Sequence, residues 1–70
     1  MIFNEAIDEL ENRHRVRRKV WPPTMFLKIE GTIRGLPAIN KYDNGKIIPW
    51  PEYPDEITAD DWVVVSAGIN

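Results

Sequence analysis

The chain has 70 residues, one histidine, no cysteine and a formal net charge of −2. Those counts exclude disulfides, thiolate metal sites and a cysteine nucleophile, and the acidic balance argues against a nucleic-acid polymer as partner. A chain of this size buries only about 60% of the surface its unfolded form exposes, so residues 1–70 read as a single small domain whose expected support is self-association.

Hydrophobic content of 43% and charged content of 29% fit a globular chain. The longest apolar run is Trp62 to Val65, too short for a segment to span a bilayer. Met1 leads into Ile2, Phe3, Asn4 and Glu5, without a basic start or an apolar stretch. The expectation is a cytoplasmic protein without a membrane partner.

The first twelve residues read as an amphipathic helix. Phe3, Ala6, Ile7 and Leu10 fall on one face of a 3.6-residue period, with Glu5, Asp8, Glu9 and Glu11 on the other. Asn4 is the expected N-cap, with acids near the positive helix end. A helix this short must dock on something.

From Arg13 the charge inverts, with Arg13, Arg15, Arg17, Arg18 and Lys19 in seven residues. Val16 to Trp21 reads as a strand, with Val16, Arg18 and Val20 on one face and Arg17, Lys19 and Trp21 on the other. Pro22 and Pro23 end it. Met25 to Glu30 is the next strand, and Gly31 and Gly35 bracket a turn region. Leu36 to Tyr42 is a third strand, kept to an edge by Pro37, and Asn44-Gly45 signals a hairpin into Lys46 to Ile48. Pro49, Pro51 and Pro54 exclude regular structure between them, and Thr58 is expected to cap a single turn through Asp61. Trp62 to Ser66 is the last strand, and the tail after Gly68 is expected to fray. The fold class is therefore α+β: a short N-terminal helix on a small antiparallel β-sheet. Its uncovered face is where subunits of a homo-oligomer are expected to meet.

Catalytic motifs are missing. His14 is the only imidazole and stands among arginines, and Asp60 and Asp61 would point to opposite faces of a strand. The expectation is a protein that is not an enzyme and needs no metal or cofactor. The basic cluster has two readings. Arg17 or Arg18 can fork onto a phosphate beside the Trp21 ring, or they can pair with Glu52, Asp55, Glu56, Asp60 and Asp61. The aromatics divide likewise. Trp62 reads as core. Trp21, Trp50 and Tyr53, flanked by prolines, are either stacking plates or a small core under loops.

An ordered set of residues carries a resemblance: Phe3 and Ala6 on the helix, Val16-Arg17-Arg18 with Trp21, then Met25-Phe26-Leu27. Asp43 and Gly45, Pro49-Trp50, and Ala59 with Asp61-Trp62 complete it. Taken together the chain resembles the second type of phage anti-Thoeris protein over nearly its whole length. The resemblance implies a sponge that binds a cyclic nucleotide signal without degrading it. The signal would be the glyco-cyclic ADP-ribose of Thoeris, or cyclic dinucleotides such as the cGAMP of CBASS. It also implies a homotetramer, a dimer of dimers, in an infected bacterial cell. The ligand-binding residues expected on this basis are Arg17, Arg18, Trp21, Met25, Phe26, Asn40, Asp43, Trp50, Tyr53 and Asp61, with phosphate on Arg17 or Arg18 and stacking on Trp21 and Trp50. Family members usually have Gly where Arg13 stands, so Asn12 is the expected left-handed cap. The rival reading is a protein-binding inhibitor module or a small structural phage domain.

Overall fold

The computed structural model describes residues 1–65. Helix α1, Phe3–Glu11, comes first, followed by β1 (Val16–Arg18), β2 (Met25–Ile33), β3 (Leu36–Asp43) and β4 (Lys46–Pro49). A single turn of helix, α2 (Pro54–Ile57), precedes β5 (Trp62–Val64). The five strands form one antiparallel sheet in the order β4-β3-β2-β1-β5. α1 lies on one face, as its apolar stripe requires: Ala6 and Leu10 are fully buried against Val16, Leu27 and Trp62.

The ends of α1 differ from expectation. Ile2, not Asn4, is the N-cap residue, and its N–H donates to Glu5 Oε1 at 3.1 Å. At the other end Asn12 stays at φ −85°, while Arg13 takes the left-handed conformation at φ 69°. Arg13 N–H bonds the Leu10 carbonyl and His14 N–H bonds that of Glu9, both at 2.9 Å. These two bonds make a Schellman cap with arginine in the glycine position. Arg13→Gly is therefore expected to stabilise the fold by about 0.5–1 kcal/mol, the left-handed penalty of a side chain less the extra chain entropy of glycine. A thermal melt checks it, and the midpoint should rise by roughly 4–8 °C per kcal/mol.

β1 stops at Arg18 because the chain turns there, Trp21 N–H bonding the Arg18 carbonyl at 3.0 Å. Val20 is thereby left exposed, and Trp21 swings into the core. β2 runs on past Glu30, and Gly31 lies within it as a bulge. Ile29 pairs with Ile39 and Thr32 with Pro37, so Glu30 and Gly31 together face Ala38. Gly31 at φ 73° supplies the left-handed backbone that the bulge needs. Both hairpins close through two positive-φ residues, Arg34-Gly35 and Asn44-Gly45, as the right-handed twist of the strands favours. The helical turn expected from Thr58 onward instead precedes it. Pro54 opens α2, and Thr58 closes it by donating its hydroxyl to the Pro54 carbonyl at 3.0 Å. The expected Ser66 end of β5 and the tail after Gly68 lie outside the described residues.

The sheet's two edges are treated differently. Trp62 exchanges backbone hydrogen bonds with Met1, at 2.9 and 3.2 Å, which covers the outer side of β5. β4 has no further strand beside it among the described residues, and Pro49 withholds the N–H that an added strand would need.

Candidate functional site

Alternation divides the six strand candidates, Arg17, Arg18, Met25, Phe26, Asn40 and Asp43, between the two faces of the sheet, and Trp21, Trp50, Tyr53 and Asp61 lie outside the strands. On the helix side, Arg18 pairs with Asp61 through its Nε. The Arg18 guanidinium holds the Asp61 carboxyl below the usual carboxylate range, and Asp61 in turn raises Arg18. This pair joins the end of β1 to the residue before β5. Asp55 and Glu56 add negative potential around the same guanidinium, which makes it a poor landing place for a diphosphate.

The pair sets a pH dependence. A depressed Asp61 contributes stability above the unfolded carboxylate value, near 3.9. That contribution is lost as pH falls through the lower folded value, because the unfolded chain binds its proton first. Acid titration of Asp61→Asn beside the native chain checks this. The native advantage, present at neutral pH, should shrink below about pH 4.

Trp21 and Trp50, expected to stack on bases, are 9% and 6% exposed. Both stand edge-on to the buried Trp62, with centroids 5.5 and 6.1 Å away. Lys41 Nζ lies 4.5 Å from the Trp21 ring centre, and Phe3 lies 5.4 Å from Trp50. Trp50 Nε1 donates to Glu56 Oε1 at 2.8 Å, and Trp62 Nε1 to the Glu56 carbonyl at 3.0 Å, so α2 fastens both indoles. Met25 packs against this core opposite Asp43, which accepts from the Asn44 amide at 3.2 Å. Tyr53, at the start of α2, is exposed. The proline-rich loop is thus a clamp over the aromatic core.

The other face of the sheet has no helix among the described residues. Arg17, Phe26 and Asn40 lie there, together with Arg15, Lys28, Glu30 and Tyr42. Phe26 and Tyr42 are cross-strand partners with ring centres 4.9 Å apart and planes only 12° from parallel. Arg15 sits over the Phe26 ring at 4.9 Å, and Lys28 over Tyr42 at 5.9 Å. The Tyr42 hydroxyl donates to Glu30 Oε1, which raises its phenol above the ordinary value. Asn40 donates its amide to the Glu30 carbonyl at 3.1 Å, leaving its own side-chain oxygen to accept. Arg17 bonds the carbonyls of Trp21 at 2.7 Å and Arg18 at 3.2 Å through one nitrogen, which leaves its remaining donors for a ligand.

Sequence reasoning reached Arg17, Phe26 and Asn40 but missed Tyr42, Lys28 and Arg15. Tyr42 was hidden by the bulge. The Arg34-Gly35 turn alone sets a register that puts Asp43 opposite Phe26, and the extra residue at Gly31 moves Tyr42 there instead. A glycine inside an alternating strand was the signal that could have found it.

Chemically, this face offers aromatic planes, cations within reach of them and one amide acceptor. Among the described residues no group of three or more His, Asp or Glu side chains is placed to hold a metal ion. No helix among them is long and apolar enough to cross a membrane. No curated protein matches the chain. Residues 1–65 match the family model of the Thoeris anti-defense 2-like domain. A match over that span, on a helix-plus-sheet domain, places the chain in the Thoeris anti-defense 2-like family and supports a role against Thoeris defence.

Proposed function

We propose that this domain counters Thoeris by sequestering its cyclic nucleotide signal, holding it without breaking a bond. The observation that carries this reading is the Phe26–Tyr42 stack on an uncovered sheet face with Arg15 and Lys28 resting on the rings. A cyclic ADP-ribose presents a planar base and two phosphates. Base–aromatic stacking is worth about 1–3 kcal/mol. Arg15, Lys28 and Arg17 meet phosphate with charge-assisted bonds, each about 1.5–3 kcal/mol. Asn40 takes a donor on the base or ribose. The same chemistry accepts a cyclic dinucleotide such as cGAMP, so a CBASS signal is a second candidate ligand. The protein acts as a homo-oligomer, a dimer of dimers on the family pattern, and as a binder rather than an enzyme.

The test is capture and release. The pure protein is incubated with glyco-cyclic ADP-ribose and a set of cyclic dinucleotides, filtered and heated. Intact ligand in the heated fraction supports the sponge. A chemically altered ligand makes the protein an enzyme, and retention of nothing from the set removes the nucleotide reading altogether.

A further inference from the structure

The uncovered face of the sheet is cationic except at one place. Arg15, Arg17 and Lys28 stand around the Phe26–Tyr42 stack, and among the described strand residues on that face Glu30 is the single carboxylate. An acid works against a site for phosphate, because it repels any anion that settles beside it. Glu30 is nonetheless held in place. The Tyr42 hydroxyl donates to its Oε1, and the Asn40 amide donates to its backbone carbonyl at 3.1 Å. Gly31 completes the bulge directly after it. Holding Tyr42 does not require a charge, since a neutral amide oxygen accepts the same hydrogen bond. What the carboxylate adds is its charge.

Position decides what that charge meets. Tyr42 is paired with Phe26 yet reaches Glu30, farther along β2, so its ring passes Lys28, which lies over it at 5.9 Å. The bond to Glu30 raises the Tyr42 phenol, and the Arg15 charge opposes that shift from the other side. An anion held between Arg15 and Lys28 thus has Glu30 as a neighbour.

Phosphate esters differ in the charge they bring. A phosphate bridged on both sides carries one negative charge, whereas a terminal phosphate carries about −1.5 to −2 at neutral pH. Three cations against one carboxylate leave two positive charges on this face, which match the two bridged phosphates of a cyclic ligand. We infer that Glu30 is the residue by which this face tells cyclic nucleotides, whose phosphates are all bridged, from linear nucleotides that end in a terminal phosphate, such as ATP. Its carboxylate leaves bridged phosphates on Arg15 and Lys28 and repels the added charge of a terminal one. Specificity of this kind comes from a repulsion set against the wrong ligand. The inference rests on the reading of this face as the nucleotide site, and it assigns the selectivity of that site to one side chain.

Two titrations decide it. The first uses ATP without magnesium and needs no cyclic ligand. It compares the native chain, Glu30→Gln, Glu30→Gln combined with Arg15→Ala, and Glu11→Gln, which removes an exposed acid on α1. Glu30→Gln keeps an acceptor for the Tyr42 hydroxyl and leaves the Asn40 bond to the backbone untouched, so the face keeps its shape, which circular dichroism and a thermal melt verify. Glu30→Gln should bind ATP roughly tenfold more tightly than the native chain. Adding Arg15→Ala should reverse that gain, and Glu11→Gln should produce none. In the second titration, with glyco-cyclic ADP-ribose, the affinity of Glu30→Gln should stay within about threefold of native, because no terminal phosphate meets the carboxylate. An ATP affinity that is unchanged or undetectable in Glu30→Gln, a gain that survives Arg15→Ala, or an equal gain for both ligands would each overturn the assignment. Failure of the native chain to hold glyco-cyclic ADP-ribose would instead count against the nucleotide reading, and the ATP titration would still decide whether Glu30 screens this face.

Discussion

Trp62→Ala should unfold the domain or leave it barely folded. The side chain is fully buried and touches Phe3, Trp21 and Trp50 at centroid distances of 5.7, 5.5 and 6.1 Å. Removing a buried tryptophan costs about 3–5 kcal/mol in transfer energy and residual cavity. A domain of this length has only about 4–10 kcal/mol in total. The loss is compounded at α2, which has no buried residue of its own and is fastened to the core through Trp62 and Trp50. Urea denaturation followed by circular dichroism measures the effect. Trp62→Phe is the control. It keeps a ring in the core and leaves the Glu56 carbonyl without its indole donor, for a smaller cost of about 1–3 kcal/mol. Equal stability of Trp62→Ala and the native chain would mean that the aromatic cluster is not what holds α2 and its loop to the core.

The second large effect concerns binding, not folding. Arg15→Ala combined with Lys28→Ala should cut ligand capture by about tenfold to a hundredfold for each cation removed, from about 1.5–3 kcal/mol apiece. The fold should hardly respond, because each cation contributes only about 0.5–1 kcal/mol where it rests on a half-buried ring at the uncovered face. The two readouts therefore separate: retention of cyclic nucleotide falls while the melting temperature stays nearly constant. Full retention in the double variant would move the site off this face. Raising the salt concentration should weaken capture by the native chain in the same direction, since these cations are screened by solvent ions.

Family and site share Arg17 and Phe26 and otherwise rest on different residues of the chain. The ordered residues from Phe3 to Trp62 carry the family, and most of them are core or cap residues: Ala6, Trp21, Trp50 and Trp62 are buried in the described structure. They specify how the domain is built. The side chains best suited to meet a ligand, Phe26, Tyr42, Arg15 and Lys28, stand on the face that the core does not use. Tryptophans beside prolines look like recognition surfaces in a bare sequence because proline limits how a backbone can be buried. Here α2 supplies the partners that make burial possible, Glu56 above all.

Local chemistry was enough to place α1, the Asn44-Gly45 hairpin and the β-branched strand after Trp62. Helical period, turn residues and β-branching act within a few residues of themselves. The α+β class follows from the same signals. Other features depended on contacts between distant segments. Arg13 adopts the left-handed cap because the chain must turn from α1 into β1, at a place where the sequence pointed to Asn12. Trp21 leaves the strand for the core because Trp62, 41 residues later, is there to receive its edge. The Phe26–Tyr42 stack exists because Gly31 inserts one residue into β2. Side chains alternate with a period of two, so one inserted residue exchanges the faces of a strand relative to its partner. That exchange is invisible to the period of either strand alone and is set when the two are paired.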